Sequence, residues 1–216
     1  RHELELIIKE KAAPAILSRM AELNLFPTIF PEVEWSEEIR HELERFHFEQ
    51  PGDEWRLSVK EKGELKLYGT YIILLSPLES GSVLKVCKRL RIKNHLRKNI
   101  LDSNKLLGKI DQLAGKQPSD IANFLENFSQ IVIFCLFFIT KSKTQKKILE
   151  QFATQWRWIE PSTNGDILKS YQLEPGPIYK QILSNLKAAW INGEIKNEDE
   201  EMQRLKNLLS NISESK

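Results

Sequence analysis

Thr163-Asn164-Gly165-Asp166-Ile167-Leu168 and, a few residues on, Leu173-Glu174-Pro175-Gly176-Pro177-Ile178-Tyr179 decide how the chain is read. Two turns sit here, and each opens a helix. Gly165-Asp166 ends a loop and offers the Asp166 carboxylate as the N-cap of a short helical piece, because it can accept the orphan amides of a first turn. Pro175-Gly176-Pro177 breaks that piece. Pro177 has a fixed φ and no N–H to lose, so it suits the first turn of the next helix. That helix carries Ile178, Ile182, Leu183, Leu186, Ala189 and Trp190 at helical spacing and stops at Asn192-Gly193, a left-handed cap. A last helix starts on Glu198, Asp199 and Glu200, with Leu205, Leu208 and Leu209 on one face. On pattern alone this is a helix–turn–helix corner with ordinary caps.

Upstream, the same helical spacing continues. Residues 1–30 read as two helices, the first with Leu4, Ile7 and Ile8, the second opened by Pro14 and ended at Phe26-Pro27 and Phe30-Pro31. Residues 35–48 form an acidic helix with Ile39, Leu43 and Phe46 inside; His41 and His47 lack the cysteine or i+4 histidine of a metal site. Residues 65–77 have strand-like composition but the length of a buried helix, and helix fits the surroundings. Ser119-Asp120 caps a helix expected to run through Phe124, Leu125 and Phe128 into the apolar run 131–139. That run is shorter than the roughly 20 residues a bilayer span needs. Lys141, Lys143, Lys146 and Lys147 crowd its C-terminal end, and residues 148–159 make a further helix with Phe152, Trp156 and Ile159. Trp156 and Trp158 read as core or rim, with base stacking as the other reading.

The chain has 216 residues, with 32 Lys and Arg against 30 Asp and Glu. Bulk charge therefore says little, but its distribution does. The first 56 residues hold thirteen acids and seven bases, whereas Lys85, Lys88, Arg89, Arg91, Lys93, Arg97, Lys98, Lys105 and Lys109 face only Asp102 and Asp111 nearby. Leu84, Val86, Leu90, Ile92, Leu96, Ile100, Leu101 and Leu106 give the buried side of two helices joined near Arg91-Ile92-Lys93. A basic helical face is either a solvated surface or the footprint of a phosphate-backbone binder. Cys87 and Cys135 sit in apolar patterns and read as buried thiols of a reducing compartment. No signal peptide is read, no membrane partner is expected, and the expected location is cytoplasmic. The start at Arg1, in mid-helix pattern, is read as that of a piece of a longer protein.

Gly165, Asp166, Leu168, Pro175, Gly176, Pro177, Ile182, Leu183, Ala189, Gly193 and Glu194 form a string that resembles the C-terminal region of bacterial tRNA nucleotidyltransferases, the CCA-adding and A-adding enzymes of the poly(A) polymerase-like class. The chain departs from that pattern at Gln172, where the family usually has glycine, and at Ile167, where a second acid is common. A weaker match lies in Ala21-Glu22-Leu23-Asn24-Leu25-Phe26-Pro27-Thr28-Ile29-Phe30-Pro31. The resemblance implies an all-α fold: an irregular array of body and tail helices with no substantial sheet, divided as 1–56 (end of the neck and start of the body), 57–160 (helical body) and 161–216 (tail helices). It also implies that the intact protein adds A or CCA to tRNA 3′ ends from ATP and CTP with Mg²⁺.

A nucleotidyltransferase head needs a Gly-Gly or Gly-Ser turn for the triphosphate and Asp-x-Asp acids for two metal ions. Gly81-Ser82 is the only Gly-Ser pair, and Ser103-Asn104 stands where a second carboxylate after Asp102 should be. The expectation is that this chain carries no catalytic or metal-binding residues, that the head lies upstream, and that this region holds the acceptor and T arms of tRNA by phosphate contacts. The expected RNA-binding residues are Lys85, Lys88, Arg89, Arg91, Lys93, Arg97 and Lys98, with Pro175, Gly176 and Lys180 at the opening of the Pro177 helix, where free amides meet a positive dipole end. The rival reading is a helical scaffold for protein partners.

Overall fold

The computed structural model describes residues 1–214, and among these it holds thirteen α-helices, three single 3-10 turns and no strand. The all-α expectation holds. The chain separates into two compact units: Arg1–Ala114 with Phe128–Thr154, and Gly115–Asn127 with Gln155 onward. The last two positions of the expected tail segment, Ser215 and Lys216, lie outside the described residues.

The first unit contains α1 (His2–Lys9), α2 (Ala13–Glu22), α3 (Phe26–Ile29), α4 (Glu37–Phe48), α5 (Val59–Leu75), α6 (Ser80–Arg89), α7 (Asn94–Leu107), α9 (Gln130–Ile139) and α10 (Lys143–Thr154). Helix α5 is its axis and packs against α1, α4, α7 and α9. Its second half, from Tyr68 to Leu75, is buried on every side, which is why it reads as strand-like. It begins earlier than expected because Ser58 and Glu61 form a capping box, each side chain bonding the other's backbone amide. Gly69 lets α4 come close: a Cβ there would sit 1.8 Å from the Phe46 ring. Phe46, Trp55, Phe134 and Phe138 meet edge-on around α9, with centroids 4.9 Å apart for Trp55–Phe134 and 5.0 Å for Phe46–Phe138. Each such buried ring contributes roughly 2–3 kcal/mol over exposure. Among the described residues no single helix is long and apolar enough to cross a membrane.

The second unit is built from α8 (Pro118–Leu125), α11 (Gly165–Ser170), α12 (Pro177–Ile191) and α13 (Glu198–Glu214). Leu168, Ile182, Leu186, Ala189, Ile195 and Leu205 form its core, with Leu208 and Leu209 against them. Helix α12 ends as read. Gly193 takes φ +74, its amide reaches Trp190 O at 3.1 Å, and Glu194 N–H reaches Ala189 O at 2.9 Å.

Five local readings change. The N-cap of α11 is Asn164, whose Oδ1 accepts the Asp166 and Ile167 amides at 3.0 and 3.1 Å; Asp166 already lies inside the first turn. Pro27 does not end a helix but sits in the first turn of the short α3. Pro118 opens α8 behind Gln117, so Ser119 and Asp120 are first-turn residues. The expected long helix through 139 is two helices. The Asn127 amide group caps α8 on Asn123 O and Phe124 O, and Ser129, in extended conformation, starts α9 anew. Finally, α10 stops at Thr154, so Trp156 to Trp158 is a 3-10 turn, and Lys143, Lys146 and Lys147 lie at the start of α10.

Candidate nucleic-acid interface

Helices α6 and α7 pack together as a hairpin. The turn works because Arg91 adopts φ +49 and the Ile92 amide reaches back to Cys87 O at 2.9 Å, burying Ile92. The inner side is Val83, Val86, Cys87, Ile92, Leu96, Ile100 and Leu106. Leu84, expected inside, is 49% exposed, because it falls on the outer side with Lys88 at i+4. All nine bases from Lys85 to Lys109 are exposed.

Their charges are not equally available. The Arg89 guanidinium grips Glu32 with two bonds of 2.5 and 2.6 Å and donates a third to Ile29 O at 3.0 Å. That bonding holds the Glu32 carboxyl below its ordinary range, against the opposing effect of burial. Lys98 pairs with Asp102 at 2.6 Å, and Arg97 donates to Asn94 Oδ1 at 3.0 Å. Lys85, Lys88, Arg91, Lys93, Lys105 and Lys109 make no ion pair among the described residues. Glu32 was not foreseen as a neighbour. It lies 57 positions away, and only the fold brings it there.

Pro175, Gly176 and Lys180 are exposed at the opening of α12 in the second unit. The site is poorer in donors than the sequence implies. Pro177 has no N–H, and the Tyr179 amide is taken by Gly176 O at 3.0 Å. The Tyr179 hydroxyl donates to Leu173 O at 2.7 Å and pins the loop. In the same unit, Glu201 is buried and accepts from Ser162 N–H, Thr163 N–H and Trp190 Nε1–H at 3.1, 2.7 and 2.6 Å. Burial pushes this carboxyl up, but the three donors prevail and hold it below its ordinary range. It ties the 162–163 loop and α12 to α13, a structural role that the acid-rich start of α13 hid.

Of the remaining bases, Lys141 pairs with Glu38, and Lys146 lies 5.6 Å over the Phe137 ring. Trp158 is 39% exposed. No group of three or more His, Cys, Asp or Glu able to hold a metal ion occurs among the described residues.

Against known proteins, this chain is 26% identical to an A-adding tRNA nucleotidyltransferase from Geobacter sulfurreducens over 217 residues, which is 94% of this chain and 24% of that protein. The sequence is similar to that tRNA nucleotidyltransferase over nearly the whole of this chain. Its fold matches a Thermotoga maritima CCA-adding enzyme complexed with tRNA-CCA, with TM-score 0.66 and 18% identity over 98% of this chain and 50% of that one. It also matches a CCA-adding enzyme in complex with CTP, with TM-score 0.64 and 17% identity over 96% and 49%. The chain thus spans about a quarter of the curated nucleotidyltransferase and about half of the solved enzymes. No protein-family model matches it.

Proposed function

We propose that this chain is the tRNA-holding, helical body and tail of a tRNA nucleotidyltransferase that adds A or CCA to tRNA 3′ ends in the cytoplasm. The catalytic head, with its ATP or CTP and Mg²⁺, lies elsewhere in the intact protein, and this region alone is inactive. The observation that carries the reading is the α6–α7 hairpin: nine exposed bases on its two helices, in the turn between them and just past α7, in a chain similar to an enzyme that acts on tRNA. Lys85, Lys88, Arg91, Lys93, Arg97 and Lys98 supply phosphate contacts along the acceptor and T arms, while Arg89, locked to Glu32, sets the position of α6. Lys180, beside Pro175 and Gly176, adds a contact from the tail. Such contacts read the shape of the RNA and not its sequence.

The test is tRNA binding by this chain across a salt series. Affinity falling with salt at about 0.7–0.9 counterions per phosphate contact supports the reading. Absence of binding at low salt would overturn it and move the scaffold reading forward.

A further inference from the structure

Three helices of the first unit end around one groove. Helix α5 ends at Leu75, α7 at Leu107 and α9 at Ile139, and residues at or near each end line a space of about 410 Å³ together with residues of α4. Its floor is apolar: Ile73 is buried, and Ile39, Leu78, Leu107 and Ile139 are half-buried. Ligand pockets run from about 300 to 1,000 Å³, so the groove is large enough to take side chains of a partner.

The charges around it choose the partner. Glu34, Glu38 and Glu42 line the groove against one base, Lys141, and Lys141 is already paired with Glu38. Glu34 and Glu42 make no ion pair or side-chain hydrogen bond among the described residues. Glu42 is half-buried, so its carboxylate stands partly out of water with no cation in contact. Burial, then the charge of Glu38, pushes this carboxyl up, with Lys141 and Arg45 opposing. Arg45 is committed elsewhere: it donates to Phe138 O at 2.9 Å and lies 4.4 Å over the Phe138 ring. The three helix ends add partial negative charge from their last carbonyls. The start of α4 is answered by Ser36 Oγ, which accepts the Ile39 amide at 3.2 Å, and by Glu37 and Glu38 in the first turn.

The groove is thus apolar in its floor and negative at its rim. A phosphate is repelled. An uncharged apolar group would cover the floor but take Glu42 further out of water. We propose that this groove docks a protein segment in which an apolar side chain stands next to a lysine or arginine, the apolar group against Leu78, Leu107 and Ile139 and the cation against Glu42 and Glu34. Such docking does not depend on the RNA reading above.

The test is a titration of the full chain, methyl-labelled at isoleucine and leucine, with a capped five-residue peptide alternating leucine and lysine. The expected result is a saturating shift of the Ile39, Leu78, Leu107 and Ile139 methyls that weakens about tenfold in Glu34→Gln/Glu42→Gln. That variant should melt at the same temperature or higher, because it removes a half-buried charge without a partner. The charge-reversed chain, Glu34→Lys/Glu42→Lys, should lose the lysine peptide and take up one with glutamate in the place of lysine. Absence of a saturating shift at these methyls, or binding that both carboxylate variants leave unweakened, overturns the proposal. A leucine–serine peptide that binds as tightly as the leucine–lysine one would also overturn it, by showing that the groove takes apolar groups regardless of charge. Methyl shifts that follow the concentration of the chain alone would make the occupant a second copy, and shifts produced by tRNA and not by the peptide would make the groove part of an RNA interface; either result overturns the basic partner.

Discussion

Two polar regions of this molecule are built on opposite terms. Around Glu201 a buried carboxylate meets three N–H donors from two loop amides and Trp190, and the group is saturated. On the α6–α7 hairpin and just past it, six bases stand exposed with no ion pair among the described residues. Saturated polar groups fix a fold, because removing one partner strands the others. Unsaturated ones cost stability or leave charge in water, and they are what a ligand can complete. The contrast separates residues of the same chemical type. Arg89 belongs to the first class through Glu32, while Lys85 and Lys88 on the same helix belong to the second.

The largest expected effect is the breaking of the saturated corner. Glu201→Ala should cost roughly 3–5 kcal/mol, since three buried or half-buried donors lose a charged acceptor together. Glu201→Gln keeps one good acceptor and should cost less. Chemical denaturation of the second unit reads both, and a loss below about 1 kcal/mol for the alanine variant would break the comparison at its first term.

Next comes a group that is half saturated. His47 is buried, with Nε2 against Thr70 Oγ1 at 2.9 Å and Nδ1 without a partner. Burial, aided by the charge of Lys66, lowers its pKa from 6.5 to about 4. The folded state therefore binds the proton less readily than the unfolded chain. Stability is full above pH 6.5 and declines as pH falls toward 4, by roughly 3 kcal/mol from this group. Comparing the native chain with His47→Gln at pH 7 and pH 4.5 isolates the effect: the native chain should lose more. Equal losses would show that the imidazole is protonated in the folded state.

The third expectation tests the division on α6 directly. Replacing Lys85, Lys88 and Lys93 by Gln should lower the salt slope of tRNA binding by about 2 and leave the melting temperature nearly unchanged. Arg89→Gln should do the reverse, lowering the melting temperature because Glu32 loses its two-bond partner and leaving the slope little changed. If Arg89→Gln shifts the slope as each lysine does, the pairing with Glu32 does not withdraw it from the surface.

What the sequence made legible was local. The α6–α7 hairpin, its turn at Arg91-Ile92-Lys93 and the Asn192-Gly193 cap all follow from spacing within a few residues, and the structure bears them out. What it hid depends on distance or on one-residue choices. The break between α8 and α9 was invisible because both sides are apolar. It is made by the Asn127 side chain turning onto α8 and by Ser129 Oγ reaching Asn99 Oδ1 at 2.9 Å, 30 residues back. Asn164 and Asp166 are both good caps, and only the backbone decides between them. Arg89 looked like any other exposed base until the fold brought Glu32 to it. The division of the bases into committed and available ones was therefore beyond reach from the sequence.

The smallest expected effect lies in the saturated corner's own neighbourhood, where hydrogen bonds are complete but one backbone position is strained. Gln172 takes φ +61 just after α11, with its amide on Lys169 O at 2.9 Å. Side chains carry a steric cost of roughly 1–2 kcal/mol in this region that glycine avoids, and glycine usually stands here in the family that the sequence resembles. Glycine also gives the unfolded chain more freedom, which offsets about half of the gain. Gln172→Gly should therefore stabilise the second unit by only about 0.5 kcal/mol, while Gln172→Val, with its branched Cβ, should destabilise it by more than that. The sign difference between the two variants, measured by denaturation, is the informative quantity. Were both neutral, the left-handed turn would be shown to relax at no cost, and the corner would owe its geometry to Glu201 and the Tyr179–Leu173 bond alone.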